Sequence, residues 1–195
     1  MKFLAQIFLV SAFHPNYQPV IPNYQSFEIE NKQVVWAQVY HIDDIDATAE
    51  ETSAKLFEQL KHKAWIDNIE YDGNDIVADL VNYHPDYKRY GGKFSNTSMT
   101  IRTGRWAGKI RIGFKDGRYR VIVYNISYEA LQSTSGPGKG TVDTHPVTGT
   151  FSELVLNNTR TSFKKNHLRD LDILHYNLKD SFIPVAEPII SSVDW

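Results

Sequence analysis

The residues of this chain whose types best suit a chemical role are cationic and aromatic, and they are concentrated between positions 108 and 130. This segment reads GKIRIGFKDGRYRVIVYNISYEA and carries five Lys or Arg side chains among aromatic and β-branched residues. On an RNA-binding sheet, aromatic rings stack on bases while Arg and Lys contact phosphates, so the composition fits an anionic ligand. The predicted binding residues are Lys109, Arg111, Arg118, Arg120 and Tyr124.

The same segment predicts its own local structure. Asp116-Gly117 stands between two alternating runs, and such a pair favours a type I′ turn, which needs positive φ at both central positions. The turn sets the register, so one face of the hairpin is apolar and the other is basic and aromatic. The predicted cross-strand pairs are Lys115 with Arg118, Phe114 with Tyr119, Ile112 with Val121, and Ile110 with Val123. The basic face is also expected to carry Ile122, Tyr124, Ile126 and Tyr128.

Three interpretations of the basic face stay open: a solvated or internally paired surface, a nucleic-acid site, and a site for another anion. Residues 28 to 79 hold thirteen acids against four bases, whereas residues 86 to 120 hold ten bases against two acids. Neighbouring strands can therefore neutralise the cations within the fold, with Glu70, Asp75 and Asp79 as candidate partners. The segment also lacks the Gly-aromatic core of the ribonucleoprotein motif. These patterns favour internal pairing.

Several other chemistries lack the residues they require. The chain contains no Cys, which excludes disulfides, thiolate catalysis and Cys-based metal centres. GPGKGT at 136 to 141 departs from the phosphate-binding loop, because Gly follows its Lys and no helix is expected there. Asp43, Asp44 and Asp46 lack the spacing of a calcium loop and fit better as acids that precede a helix.

The sequence also shows no motif for a catalytic triad or a zinc site. No Ser, His and acid group together, and no histidine pair has the spacing of a helical zinc site. His84 lies in an aromatic and cationic loop, which a polar turn explains equally well. The chain is therefore predicted not to be an enzyme and to hold no metal ion and no cofactor. A hydrolase built on paired carboxylates or on His84 is the catalytic alternative.

The amino terminus predicts export. MKFLAQIFLVSAF has Lys2, an apolar run from Phe3 to Phe13, and Val10 and Ala12 spaced like a cleavage site. It resembles a short signal peptide, so a secreted or periplasmic location is expected. A buried first strand is the alternative, because a glutamine interrupts the run. At about eleven residues the run is too short for a transmembrane helix.

The remaining elements follow from periodicity and turn motifs. Thr48 and Glu51 have the spacing of a capping box, which predicts a helix from this point. Residues 65 to 130 alternate between β-rich runs and turns, which indicates four or five antiparallel strands. Residues 132 to 150 are predicted to be an irregular loop because of their Ser, Thr, Gly and Pro content. A second helix is predicted over residues 159 to 182, with an apolar stripe from Phe163 to Phe182.

These elements give the order β-α-β-β-β-β-α, with the strands bunched between two helices. This order predicts an α+β domain in which an antiparallel sheet of about five strands carries two helices packed on one face. Residues 28–182 are predicted to form this single domain. Residues 1–27 are expected to be a signal-like apolar segment with a Pro-rich lead-in. Residues 183–195 are expected to be an extended tail, because two prolines prevent a helix.

Three segments together resemble a known domain family: KQVVWAQVYHID at 32 to 43, TAEETSAKLFEQL at 48 to 60, and the segment at 108 to 130. The family is uncharacterised, has a fold like that of the TATA-box-binding protein, and occurs in secreted proteins of Gram-negative gut bacteria. The resemblance implies export and the same element order, and it supplies no activity, cofactor or catalytic residue. TATA-box recognition is not implied, because it uses two repeats and aromatic wedges, whereas this sequence shows one copy and no such wedges.

The leading hypothesis is an exported, non-catalytic domain that binds a protein or small-molecule partner. The alternative is binding of an anionic ligand or single-stranded nucleic acid through the basic sheet face. Of these partners, nucleic acid is the less expected, and no transmembrane segment is predicted.

Overall fold

The computed structural model describes residues 22–42, 48–115, 117–135 and 142–184. Within these ranges the chain forms one eight-stranded sheet and four α-helices. The strands are β1 (Asn23–Tyr24), β2 (Phe27–Glu30), β3 (Gln33–His41), β4 (Ile66–Asp72), β5 (Asp75–Tyr83), β6 (Arg105–Lys115), β7 (Arg118–Ser135) and β8 (Val142–Thr150). The helices are α1 (Ala49–Lys61), α2 (Met99–Thr103), α3 (Phe151–Val155) and α4 (Leu168–Ser181), and a 3₁₀ turn, Lys165–His167, precedes α4.

The strands pair in the order β1-β2-β3-β7-β6-β5-β4, and β8 pairs with the second half of β7. Every pairing is antiparallel. The predicted α+β class with an antiparallel sheet is therefore confirmed. The prediction of about five strands and two helices is wrong, since the described residues contain eight strands and four helices.

The central hairpin has the predicted register. Lys115 pairs with Arg118 and Phe114 pairs with Tyr119, which leaves a two-residue connection in which Gly117 has φ +69. Asp116, the other residue of that turn, lies outside the described residues. The face of β6 and β7 predicted to be apolar is buried to 1% exposure or less at Ile110, Ile112, Tyr119, Val121 and Val123.

Both long helices cover this apolar face, which we call the inner face. Besides apolar packing, two tyrosines of the sheet donate hydrogen bonds to backbone carbonyls at the end of α4. The Tyr119 hydroxyl donates to the Phe182 carbonyl and the Tyr40 hydroxyl donates to the Lys179 carbonyl, both at 2.8 Å. α1 lies over β4, where Phe57 stacks on Tyr71 at 4.6 Å between ring centroids. Tyr71 pairs with the fully buried Ile76, so this contact is on the same face.

Helix α1 begins where the sequence predicts. The Thr48 hydroxyl accepts from the Glu51 amide at 3.1 Å, and the Glu51 carboxylate accepts from the Thr48 amide at 3.0 Å. This capping box satisfies two amides that have no partner within the helix. Leu56 and Leu60 then face the core at 1% exposure each.

Within the segment predicted to be an irregular loop, residues 132 to 150, the described residues 132–135 and 142–150 instead extend the sheet. β7 continues to Ser135, and β8 returns along it from Val142 to Thr150 in unbroken antiparallel register. Thr and Val favour extended structure, and this preference outweighs the turn-like composition. The observed order of elements is thus longer than β-α-β-β-β-β-α. It adds the strands β1, β2 and β8, the helix α2 between β5 and β6, and the helix α3 between β8 and α4.

The predicted helix over 159 to 182 is confirmed only in its second part. The Asn157 side chain accepts from the amides of Thr161 and Ser162, and Arg160 has φ +56. These contacts hold the chain in a turn rather than a helix. Phe163 is still buried, at 4% exposure, but in a β-bridge with Leu156.

A bulge at Asn125 changes the alternation of β7. Asn125 has φ +52, and the pairing with β6 shifts between Ala107 and Lys109. The extra residue turns the following side chains to the opposite faces. Ile126, predicted on the basic face, is therefore in the core at 4% exposure, and Tyr128 packs against the core.

Several sequence predictions concern residues outside the described ranges. They are the signal-like run, the acids at 43, 44 and 46, the GPGKGT segment and most of the C-terminal tail. Among the helices of the described chain, none combines the length and the apolar character that a bilayer span requires.

Candidate binding surface

The face of the sheet opposite the helices, which we call the outer face, carries the five predicted binding residues. Alternation along the strands points Lys109 and Arg111 outward on β6, and Arg118, Arg120 and Tyr124 outward on β7. The hairpin therefore brings all five residues to one surface, as predicted. Their surroundings divide them into three groups.

Lys109 and Arg111 form the first group, and both are in ion pairs with acids of β4 and β5. Lys109 Nζ donates to Asp79 Oδ1 at 2.6 Å, and Asn68 Nδ2 donates to the other oxygen of the same carboxylate at 2.9 Å. Arg111 donates from Nε to Asp75 Oδ2 at 2.7 Å and from an Nη to Asp72 Oδ2 at 2.9 Å. Acids of β5 and of the end of β4 thus offset both cations.

These pairs shift the pKa values in the expected directions. The hydrogen bond from Lys109 lowers the pKa of Asp79, and the bond to Asp79 raises the pKa of Lys109. The hydrogen bond to Asp75 raises the pKa of Arg111. These directions favour the charged forms of Asp79, Lys109 and Arg111. Of the acids named from the sequence, Asp75 and Asp79 are partners, whereas Glu70 has no ion pair in the described chain and Asp72 takes its place.

Arg118 and Arg120 form the second group, together with Lys115. All three side chains are exposed, and within the described residues none has an ion pair or a side-chain hydrogen bond. We call these three residues the cation cluster. Arg120 lies opposite Val39, which is 42% exposed, so an apolar side chain borders the charges.

Tyr124 stands apart at the other end of the outer face. It pairs with Lys109 and is half-buried beside a shallow depression of about 360 Å³. The depression is lined by Glu30, Asn31, Gln33, Val35, Arg111, Ile122, Tyr124 and Asn125. Side-chain amides and apolar groups dominate this wall, and Arg111 there already has its carboxylate partners.

His84, the one histidine singled out from the sequence, lies at another depression of about 340 Å³. Its walls are Ala64, Trp65, Asn82, Tyr83, His84, Asn177 and Ser181, which include no carboxylate. The Tyr83 and Ser181 hydroxyls are 2.9 Å apart, and Ser181 also donates to the Asn177 carbonyl. No group of three or more His, Cys, Asp or Glu side chains in the described residues is arranged to hold a metal ion.

A buried histidine that the sequence did not single out is His175, on the side of α4 that packs against the inner face. Trp36 Nε1 donates to its Nδ1 at 3.3 Å, and the imidazole is 6% exposed. Burial, and then the charge of Lys179, lower its pKa. Its position on the apolar side of α4 is the signal that could have indicated a core role.

No protein-family model matches this chain, and the search of curated proteins finds no match. Two solved structures are similar to it. A DUF4468 family protein from Bacteroides ovatus is 11% identical with a TM-score of 0.44, over 84% of this chain and 94% of that one. A TBP-like protein from Parabacteroides distasonis is 13% identical with a TM-score of 0.44, over 78% of this chain and 90% of that one.

Proposed function

We propose that this protein is a non-catalytic binding domain that docks an acidic partner on the outer face of its sheet. The observation that supports this most is the division of the cations. The carboxylates of Asp72, Asp75 and Asp79 on β4 and β5 are already engaged by Lys109 and Arg111. Arg118 and Arg120 are exposed without a partner in the described chain, so their five-donor guanidinium groups are available for carboxylates.

Three tyrosines with raised pKa values support a non-catalytic role, because they lie in the core. The pKa values of Tyr40, Tyr83 and Tyr119 are raised chiefly by burial in the core. The hydroxyls of Tyr40 and Tyr119 donate to carbonyls at the end of α4, which is a structural use. Perturbed groups at catalytic sites instead converge on a cleft that a substrate enters.

An acidic protein or peptide fits the cation cluster better than single-stranded nucleic acid does. Platforms for single strands stack successive bases on several rings. Tyr124 is the one aromatic side chain that β6 and β7 present on the outer face. It lies at the far end of the face from Arg118, beside the depression rather than among the free cations.

Export is part of the proposal and is supported by the signal-like start of the chain. It is tested by fractionating cells and measuring the mass of the protein in each fraction. We expect an extracytoplasmic form that lacks about the first dozen residues. Full-length protein confined to the cytoplasm would rule export out.

The binding proposal is tested by titrating hexaglutamate and a single-stranded oligothymidine into the protein at low and at physiological ionic strength. We expect hexaglutamate to bind more tightly than the oligothymidine and to weaken with added salt, because exposed charges are screened. The double variant R118Q/R120Q should lose most of this binding. Lys55→Gln, an exposed cation of α1 on the helical side, is the matched control. Equal affinity of the two variants for hexaglutamate would reject the cation cluster as the site.

A further inference from the structure

The outer face carries an acid and a base at matched positions on either side of β6. Gly113 pairs with Arg120 of β7, and the register of β5 places Asp75 on its other side. A Cβ at Gly113 would be 3.4 Å from Asp75 Oδ1, which confirms that this oxygen lies towards the glycine. The order across three strands is therefore Asp75, Gly113, Arg120, with no side chain in the middle.

The two charged groups of this row have unused hydrogen-bonding capacity. Arg111 Nε binds Asp75 Oδ2, whereas Asp75 Oδ1 accepts no hydrogen bond in the described chain. A carboxylate oxygen offers two lone pairs and a guanidinium offers five N–H donors. Asp75 and Arg120 are separated by a whole strand in one molecule, so they do not pair with each other and both can contact a second molecule.

A two-fold axis running along β6 makes this row complementary to itself. Such an axis exchanges the positions of β5 and β7 and keeps the height along the strands, so it places Arg120 of each copy over Asp75 of the other. In an isologous contact of this kind both pairs form at once. Gly113 lies on the axis, where its missing side chain leaves room for the guanidinium groups between the sheets.

The next row supports the same arrangement. Val77 pairs with Arg111, which pairs with Ile122, so the axis sets Val77 of one copy over Ile122 of the other. Both side chains are half-buried and apolar, and their contact removes apolar surface from water. Lys109, Arg111 and Lys115 each approach their own counterparts along the axis. Asp79 offsets the charge of Lys109, and Asp72 and Asp75 offset that of Arg111.

We infer that the acidic partner of this face is a second copy of the same chain, docked sheet to sheet about a two-fold axis along β6. This inference rests on the proposed function, because it names the partner that Arg120 of the cation cluster binds. Aligned sheets pack about 10 Å apart, a gap that an arginine and an aspartate together span. Five strands over about 20 Å of their length give a footprint on the order of 500 Å² per copy, which is the size of a weak, reversible dimer.

Sedimentation velocity over a wide range of protein concentration tests the inference on the full chain. We expect wild type to pass from monomer to dimer as concentration rises, with weaker association at high salt. Arg120→Glu and Asp75→Arg should each raise the dimer dissociation constant by at least about tenfold, because like charges then face each other. An equimolar mixture of these two variants should dimerise again, since each charge meets its opposite in the heterodimer. Lys55→Glu is the matched control and should behave as wild type.

A third variant tests the dimer without reversing a charge, in case either charge reversal disturbs folding. Circular dichroism monitors the folding of all three variants. Gly113→Gln adds a neutral side chain that points towards the axis. Within one molecule its Cβ would be 3.4 Å from Asp75 Oδ1, which is an ordinary van der Waals contact. It should weaken the dimer while thermal stability is retained. Wild type that stays monomeric, single variants that dimerise normally, or a mixture that fails to recover would each overturn the inference. A monomer that still binds hexaglutamate through Arg118 and Arg120 would overturn only the second-copy partner and leave the proposed function standing.

Discussion

Replacing Ile112 by Ala tests the division of the sheet into two faces, because Ile112 is fully buried and pairs with the fully buried Val121. The change removes three buried methyl or methylene groups, at about 0.8 kcal/mol each by transfer. The cavity left behind adds to this, so we expect a loss of about 3 to 4 kcal/mol in the free energy of unfolding. For a domain of this size the melting temperature should fall by on the order of 10 °C.

Arg120→Ala is the matched comparison on the outer face, one residue before the strand partner of Ile112. Its side chain is exposed and unpaired in the described chain, so the unfolding free energy should change by no more than about 0.5 kcal/mol. Urea unfolding followed by tryptophan fluorescence measures both variants, since Trp36 and Trp106 are fully buried. Equal losses in the two variants, or a larger loss for Arg120→Ala, would refute the assignment of faces.

Three further predictions concern the scaffold. Thr48→Ala removes the capping box of α1 and should lower the unfolding free energy by about 1 kcal/mol, measured by urea unfolding, whereas Thr48→Ser should retain most of it. Gly92→Ala should cost about 1 to 3 kcal/mol, because its Cβ would lie 2.5 Å from the Tyr87 carbonyl oxygen; a melting temperature equal to that of wild type would contradict this. The folded pKa of His175 lies below its ordinary 6.5 because of burial and then a nearby lysine, so the unfolded state binds a proton first as pH falls. Its contribution is therefore complete above pH 6.5 and is lost as the pH falls towards the folded pKa. His175→Gln should flatten stability against pH in this window, and an unchanged profile would show that another group is responsible.

The parts of the fold that sequence predicts well are those in which local preferences agree. The central hairpin combines an Asp-Gly turn with strict alternation on both strands, so register and inner face follow directly. Helix α1 combines a capping box with an apolar stripe, and both its start and its buried face are as predicted. Agreement of turn, period and cap leaves few alternatives for these segments.

The failures occur where one residue changes the geometry. Asn125 adopts a positive φ and inserts a bulge, after which Ile126 turns from the outer face to the core. Asparagine tolerates this conformation, but nothing in a β-rich run requires it there. Asn157 similarly captures the amides that follow it and delays the last helix to Leu168. The sequence does not predict the full length of β7, because Ser and Thr are frequent in loops and their strand pairing depends on the arrival of β8 beside them.

The binding surface could be predicted in its composition but not in its charge balance. Alternation brings the five predicted residues to one face, and the acidic block preceding them indicates that some are neutralised. Which ones depends on strand order and register: β5 lies beside β6, so Lys109 and Arg111 receive the acids. β7 lies beside β3, whose outward residues include Val39, so Arg118 and Arg120 receive none in the described chain.

Heteronuclear NMR of the backbone amides during a titration with hexaglutamate tests most directly whether the outer face is where this protein binds other molecules. Chemical-shift changes should cluster on the outward rows of β5, β6 and β7 around Gly113 and Arg120, while the amides in the middle of α1 and α4 stay unchanged. Changes centred on the helices, or no changes when an acidic ligand is in excess, would contradict the account.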